Sequence, residues 1–308
     1  MVDEFRIVLG PVVDPEIAAA LATVEGVSEV ATPPLADVAA ALAGVEVLVA
    51  FQWQDEWLVP GLRWIQSVSA GTDQFPLDDL QDAGVVLTSA VGIHDVQVSE
   101  HAFGLLLGLT RGIGLAVRRQ ADRVWRWPPV VELAGMTLGV LGLGVIGETV
   151  AERGKAFGMN VVGTKRSPVG YSGVADEVFG PAGTLEVFQR SDAVIVTLPG
   201  SAETADLVGA AELEALAGGF FVNVGRGSVV DQDALTEALA SGSLRGAGLD
   251  VFQEEPLPED SPLWDMSNVI VTPHLAGTSP RYGERLADLF RSNLRAFRGD
   301  GEWINRAV

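Results

Sequence analysis

The sequence specifies an α/β protein built from two parallel-sheet domains, Rossmann-like and flavodoxin-like, with a deep interdomain cleft expected. Three observations carry that expectation. Apolar runs of strand length alternate with alanine-rich helical stretches, the pattern of a parallel sheet wrapped in helices. A chain of 308 residues with 48% apolar side chains is long for one core and ample for two. Near its middle, Met136 to Gly158 reads as a strand, a glycine turn and an amphipathic helix.

In chain order, Phe5 to Gly10, Val45 to Phe51, Leu62 to Ser69 and Val85 to Ser89 read as buried strands, separated by helical stretches such as Pro15 to Val24. These make one α/β unit over residues 1–92. Its loop Ser69-Ala70-Gly71-Thr72-Asp73 follows a strand, where open α/β sheets present their ligand crevice. Backbone amides of Ala70 and Gly71 suit a carboxylate, and Trp53 ends the preceding strand region. The spacing then predicts one long helix over Val96 to Arg119, with Gly104, Gly108 and Gly112 at four-residue intervals allowing close packing. That helix is the expected crossover between domains and a candidate dimer surface. His94 and His101 read as structural residues beside and within it.

In the central stretch, Thr137 to Leu141 is the strand, and Gly142, Gly144 and Gly147 form Gly-x-Gly-x-x-Gly where the helix begins. The first glycine permits the turn, the second lets a diphosphate approach the backbone, and the third lets helix and strand pack closely. Amides at the helix start and its partial positive charge suit the diphosphate of a dinucleotide. A second strand, Asn160 to Thr164, is followed by Lys165, Arg166 and Ser167 rather than an acid. An acid there would bind the ribose hydroxyls of NAD, whereas two cations and a hydroxyl favour the extra phosphate of NADP, so NADPH is expected over NADH. Further strands at Ala193 to Leu198, Gly219 to Val224, Gly246 to Val251 and Val269 to Thr272 give five or six in parallel. A final helix over Pro280 to Arg298 is expected to return to the first domain, dividing the chain into 1–92 with 278–308 and 93–277.

Charge narrows the function. Forty-one acidic against 20 basic side chains give a net charge of −21, and only Lys155 and Lys165 are lysines. That balance argues against nucleic acid as a partner. It suits a salty cytosol, where the Debye length falls to about 3 Å at 1 M and repulsion is screened. There is no cysteine, so disulfides and thiolate chemistry are out. The three histidines show no ligand spacing, so no metal is expected. An acidic start running straight into a strand does not read as a signal peptide, and no apolar run approaches the ~20 residues a membrane helix needs. A cytoplasmic protein is expected.

Polar residues stand where the later strands end. They are Arg226 in NVGRGSVVD, Asp250 and Glu255 in GLDVFQEEP, and His274 in VTPHLAG. Taken in order behind the glycine triplet, and with Glu100-His101 in the long helix, these motifs resemble the D-2-hydroxyacid dehydrogenase family over nearly the whole chain. The resemblance implies reversible reduction of a 2-oxo acid to a D-2-hydroxy acid by NAD(P)H. It implies that His274 exchanges the proton with the substrate oxygen and that Glu255 hydrogen-bonds the imidazole, orienting it and favouring its protonated form. Arg226 would clamp the substrate carboxylate and carbonyl, and Ala70 and Gly71 would hold the carboxylate through their amides. Asp250 would accept from the nicotinamide carboxamide.

By the same resemblance the coenzyme lies along Gly142, Gly144, Val145, Ile146, Gly147, Lys165, Arg166 and Ser167, then Leu198, Pro199, Thr204, Val224 and Gly225, and reaches His274, Ala276 and Gly277. A homodimer is implied, and Trp53, Trp125 and Trp264 are candidates to border the substrate side chain. The coenzyme loop departs from the many members with an acid where Lys165 stands. It is similar in this to the glyoxylate and hydroxypyruvate reductases of the family. Formate-type relatives lack a glutamate at the position of Glu255. The alternative outside enzymes is an NAD(H)-sensing regulatory protein on the same scaffold.

Overall fold

In the computed structural model, which describes residues 5–10 and 15–308, the chain divides into two compact units. The acidic residues 1–4 lie outside the described residues. One unit takes Met1–His94 with Thr278–Val308, and the other Asp95–Gly277.

The first unit contains β1 (Phe5–Leu9), α1 (Pro15–Leu21), β2 (Val27–Ala31), α2 (Val38–Ala41), β3 (Val47–Ala50), β4 (Trp64–Ser67), α3 (Leu77–Asp82) and β5 (Val86–Thr88). Its five strands are all parallel in the order β2-β1-β3-β4-β5, the flavodoxin-type arrangement. Alternate side chains leave the sheet on opposite faces. Ile7, Leu9, Val47, Val49 and Trp64 join one buried layer, and Val8, Leu48, Ala50, Ile65 and Leu87 the other. β2 breaks the expectation because, as an edge strand, none of its side chains is fully buried and it shows no apolar run.

Helix α10 (Tyr282–Phe297) packs on α1, and its Phe290 stacks on Trp64 with ring centroids 4.7 Å apart. The residues that follow are tied down by buried polar groups. Asn293, fully buried, donates to Gln66 Oε1 at 3.1 Å and accepts from the Ile304 amide at 2.8 Å. Thr88 and Arg306 form an antiparallel bridge.

The second unit holds α4 (Asp95–Thr110), α5 (Ile113–Ala121), β6 (Thr137–Leu141), α6 (Val145–Ala156), β7 (Asn160–Thr164), β8 (Glu177–Phe179), α7 (Thr184–Arg190), β9 (Ala193–Val196), α8 (Ala210–Ala215), β10 (Phe220–Asn223), α9 (Gln232–Ser241), β11 (Gly246–Leu249) and β12 (Val269–Val271). Seven parallel strands run β12-β11-β10-β9-β6-β7-β8. That is one or two more than expected, since β8 is a three-residue edge without an apolar run. The order reverses between β6 and β9, the switch point at which a doubly wound sheet opens a crevice. Both faces are covered, one by α4 and α6 and the other by α7, α8 and α9.

The single long helix expected over Val96 to Arg119 is two helices. Gly112 stands between them at φ +66°, a left-handed conformation that ends α4, and a side chain there would also strike Pro128. Nor do the three glycines form a helix-packing seam. Gly108 faces Ile270 of β12, Gly112 makes the break, and Gly104 has open space. α4 lies wholly in the second unit, against β10, β11 and α6, rather than crossing between domains. No described helix is long and apolar enough to cross a membrane.

Candidate active site

Because every strand of the second unit is parallel, their carboxyl ends share one edge. Along it, about 4.8 Å per strand, follow the loops after β7, β6, β9, β10, β11 and β12. These loops carry Lys165 to Ser167, the glycine turn, Leu198 and Pro199, Arg226, Asp250 with Glu255, and His274 respectively. These residues therefore fall on one rim, with the glycine turn between the Lys165 loop and the polar cluster.

The turn fits a dinucleotide by its own geometry. Gly142 sits at φ +97°, where a side chain is strained. At Gly147 a Cβ would overlap the Gly142 carbonyl, so helix and turn approach as closely as backbone allows. Gly144 is different: its φ is an ordinary −91°, and a Cβ would meet nothing within 4 Å. The protein's own packing does not require glycine there. The space ahead of it opens on the start of α6, whose N-cap has no side-chain hydrogen bond, leaving first-turn amides for an anion. Val145 is exposed and Ile146 half-buried beside it. Lys165 turns back to this turn and donates to the Leu143 carbonyl, whereas Arg166 is 84% exposed and 3.9 Å from Glu203. Ser167 is also exposed.

The other coenzyme candidates have mixed surroundings. Leu198 is half-buried and packs against Gly142, and Pro199 is exposed. Thr204 is occupied locally, its hydroxyl donating to Pro199 O at 2.8 Å while accepting from Ser201 N at 2.9 Å. Val224 and Gly225 are buried; the Gly225 amide donates to Asn223 Oδ1 at 3.0 Å. Ala276 is buried, and the Gly277 carbonyl accepts from Gln97.

At the far end of the rim the chemistry concentrates. His274 Nδ1 lies 2.6 Å from Glu255 Oε2, and Glu255 Oε1 accepts from the Phe252 amide at 3.0 Å. A carboxylate only accepts, so Nδ1 carries the hydrogen and Nε2 stands outside this pair. His274 itself has φ +49°, a left-handed value uncommon for a side-chain-bearing residue. Arg226 follows β10; its Nη1 donates to the Gly225 carbonyl at 3.0 Å, and its own carbonyl accepts from Asn223 Nδ2 at 3.0 Å. The next residue, Gly227, leaves no room for a side chain against the Phe252 backbone, which fixes where Arg226 leaves the sheet.

Asp250 is engaged within the protein. It is 1% exposed, and its carboxylate accepts from Thr272 Oγ1 at 2.6 Å, Leu275 N at 3.0 Å and Ala276 N at 2.9 Å. Burial works to raise its pKa, but hydrogen bonds from His101, Thr272, Ala276 and Leu275 outweigh that and hold the carboxyl below the usual range. The sequence had assigned Asp250 to the coenzyme alone and had not drawn in Thr272, which lies 22 residues away. His101 is placed as expected, hydrogen-bonded on its helix, with Nε2 2.9 Å from Thr272 Oγ1.

In the first unit, the loop after β4 is braced by Ser69 at its start and by Gln74, which the sequence reading does not single out. Gln74 Nε2 donates to Phe51 O at 2.7 Å and to Ser69 Oγ at 2.8 Å, and Ser69 Oγ donates to Gly71 O at 2.7 Å. Ala70 and Gly71 are half-buried on this braced turn. Trp53 is half-buried, packed edge-on against Trp57 with centroids 6.1 Å apart and tilted on Phe75. In the second unit, Trp264 donates to the Pro258 carbonyl, and Trp125 is 97% exposed.

Residues 103–276 match the model of the D-isomer specific 2-hydroxyacid dehydrogenase NAD binding domain, more than half of the chain. The chain belongs to the D-isomer specific 2-hydroxyacid dehydrogenase family. A glyoxylate reductase of Korarchaeum cryptofilum is 33% identical over 252 residues, covering 78% of this chain and 74% of the relative. A glyoxylate/hydroxypyruvate reductase B of Pectobacterium atrosepticum is 36% identical over 229 residues, 71% of each chain. The solved NADPH-dependent glyoxylate/hydroxypyruvate reductase of Sinorhizobium meliloti, in complex with NADP and malonate, superposes with TM-score 0.85 at 30% identity, covering 99% of this chain and 97% of that one. Like its family, the protein is an oxidoreductase that uses a nicotinamide dinucleotide. The relatives named are reductases, so a coenzyme-sensing regulator is without support.

Proposed function

We propose that the enzyme reduces small 2-oxo acids to D-2-hydroxy acids and prefers NADPH. The observation that carries it is the His274–Glu255 pair, 2.6 Å apart on the rim that also bears Arg226 and the glycine turn. The bound dinucleotide supplies hydride to the carbonyl carbon. His274 delivers the proton from Nε2 to the carbonyl oxygen while Glu255 stabilises the imidazolium at Nδ1. Such positioned proton transfer is worth about 10² to 10⁴ in rate. Arg226 pairs with the substrate carboxylate through its planar fork, which a lysine would not match. In the first unit, Ala70 and Gly71 are the amide donors proposed for a carboxylate, and Trp53 the neighbour proposed for a side chain. The reaction balances as 2-oxo acid, NADPH and one proton giving hydroxy acid and NADP.

NADPH preference rests on Arg166, 84% exposed and loosely paired, with Lys165 beside the turn. The Sinorhizobium relative described as NADPH-dependent is consistent with it. The enzyme works as a homodimer. Supporting this, α5 has no buried residue, and Ile113 and Val117 on it, with Trp125 and Trp127 just beyond it, are 53%, 60%, 97% and 88% exposed, apolar surface that a second copy would cover. A salt-rich cytoplasm suits the net charge of −21.

The deciding experiment follows nicotinamide absorbance in concentrated KCl, with NADPH and NADH in parallel, against glyoxylate, hydroxypyruvate, pyruvate and longer 2-oxo acids. Faster NADPH oxidation with one substrate class is expected. Preference for NADH would overturn the coenzyme assignment and leave the reductase standing. No turnover with any 2-oxo acid would overturn the reaction.

A further inference from the structure

His101 takes no part in the reaction set out above, yet its ring reaches the loop that carries His274. It stands on α4, 171 residues before Thr272, with Nε2 2.9 Å from Thr272 Oγ1 and 3.4 Å from Asp250 Oδ1. Thr272 Oγ1 in turn lies 2.6 Å from that same Oδ1. Asp250 is held ionised, and an ionised carboxylate accepts without donating. The Thr272 hydroxyl hydrogen therefore points at Asp250, which leaves the hydroxyl a lone pair toward His101. Nε2 of His101 must then carry a hydrogen. The relay has one direction, from His101 through Thr272 to Asp250.

Asp250 is where the His274 loop is fastened. Thr272, two residues before His274, donates to its carboxylate; Leu275 and Ala276, one and two residues after, donate to the same group. The His274 amide donates to the Asp250 main-chain carbonyl at 2.8 Å. Between these fastenings His274 keeps φ +49°, a left-handed conformation that persists where its surroundings over-determine it.

We infer that His101 is a positioning residue: by donating into the Thr272–Asp250 pair it fixes the loop geometry that aims the His274 imidazole, without touching substrate or coenzyme. Its consequence for turnover rests on the proton-transfer role proposed for His274; the relay itself does not.

The test uses the full-length enzyme labelled with ¹⁵N-histidine, whose three histidines can be assigned by single substitutions. His101 should show a protonated, pyrrole-type Nε2, and the His274 ring resonances should move in His101→Phe. In kinetics, His101→Phe should lower kcat by about ten- to a hundredfold, the scale of a misaimed catalytic group. KM for NADPH should change by less than about threefold. His101→Gln, which carries an amide donor to similar reach, should restore most of the rate. Thr272→Val should reproduce the loss, and the double variant should be no worse than either single one, as for members of one relay.

A pyridine-type Nε2, unmoved His274 resonances, or an unchanged kcat in a folded His101→Phe would each overturn the inference. So would multiplicative losses in the double variant. Should His101→Phe not fold, equal kcat in the wild type and Thr272→Val decides against it. If the wild type reduces no 2-oxo acid, the proposed reaction fails, while the Nε2 state and the His274 resonances still decide whether the relay positions the loop.

Discussion

His274 has its Nδ1 bound to Glu255 and its backbone in a left-handed conformation, so its ring is fixed from both ends. His274→Ala should cut kcat by about 10² to 10⁴ while leaving the NADPH dissociation constant nearly unchanged. Equal loss of both, by stopped-flow turnover and coenzyme fluorescence titration, would remove its role in proton transfer. Asp250 gives a stability signature at the same scale. Its folded-state pKa is depressed, so its stabilisation is complete above the ordinary aspartate range near 3.9 and is lost as pH falls through the lower native value. Asp250→Asn should therefore cost about 2 kcal/mol in urea unfolding at pH 7, with the gap to wild type narrowing below about pH 4. A gap that widened on acidification would contradict the assignment. His274, Glu255 and Arg226 were legible in the sequence because charged groups at the ends of apolar runs have no packing reason to be there. The relay from His101 to Thr272 was not, since it joins residues 171 apart that only the stacking of α4 on the sheet brings together.

At the scale of the element, the strand-turn-helix of β6 and α6 separates two kinds of glycine. Gly147 is required by the fold, because a side chain would overlap the Gly142 carbonyl; Gly144 has space and an ordinary φ. Gly144→Ala should melt within a few degrees of wild type yet bind NADPH at least about tenfold more weakly, a loss of ~1.4 kcal/mol. Gly147→Ala should lower the melting temperature itself. Undiminished NADPH affinity in Gly144→Ala would remove the diphosphate from this turn. Element type was legible wherever strands are buried on both faces, as in β3, β9 and β10. The edge strands β2 and β8 were not, for their exposure removes the apolar run, and the break at Gly112 was hidden in a helical pattern that continues on both sides of it.

At the scale of the molecule, the net charge of −21 should make stability rise with KCl, as the Debye length shrinks from about 10 Å at 0.1 M to 3 Å at 1 M. A melting temperature indifferent to salt would separate this surface from a saline habitat. Trp125 and Trp127 changed together to Ser should convert a dimer to a monomer in sedimentation, because theirs are the most exposed large apolar rings in that stretch. A sedimentation coefficient equal to wild type would place the subunit contact elsewhere. The clamp of Asn293 on Gln66 and Ile304 bears on how the chain is made. The first unit draws on strands translated at the outset and on a helix and tail translated some 200 residues later, about 10 to 40 s at ordinary ribosome speeds. The dinucleotide unit, continuous over Asp95–Gly277, is complete just before that helix begins at Tyr282. During synthesis, the early strands must therefore wait with the Trp64 face of their sheet covered only by α1, short of an aromatic partner, Phe290, that the ribosome has yet to supply.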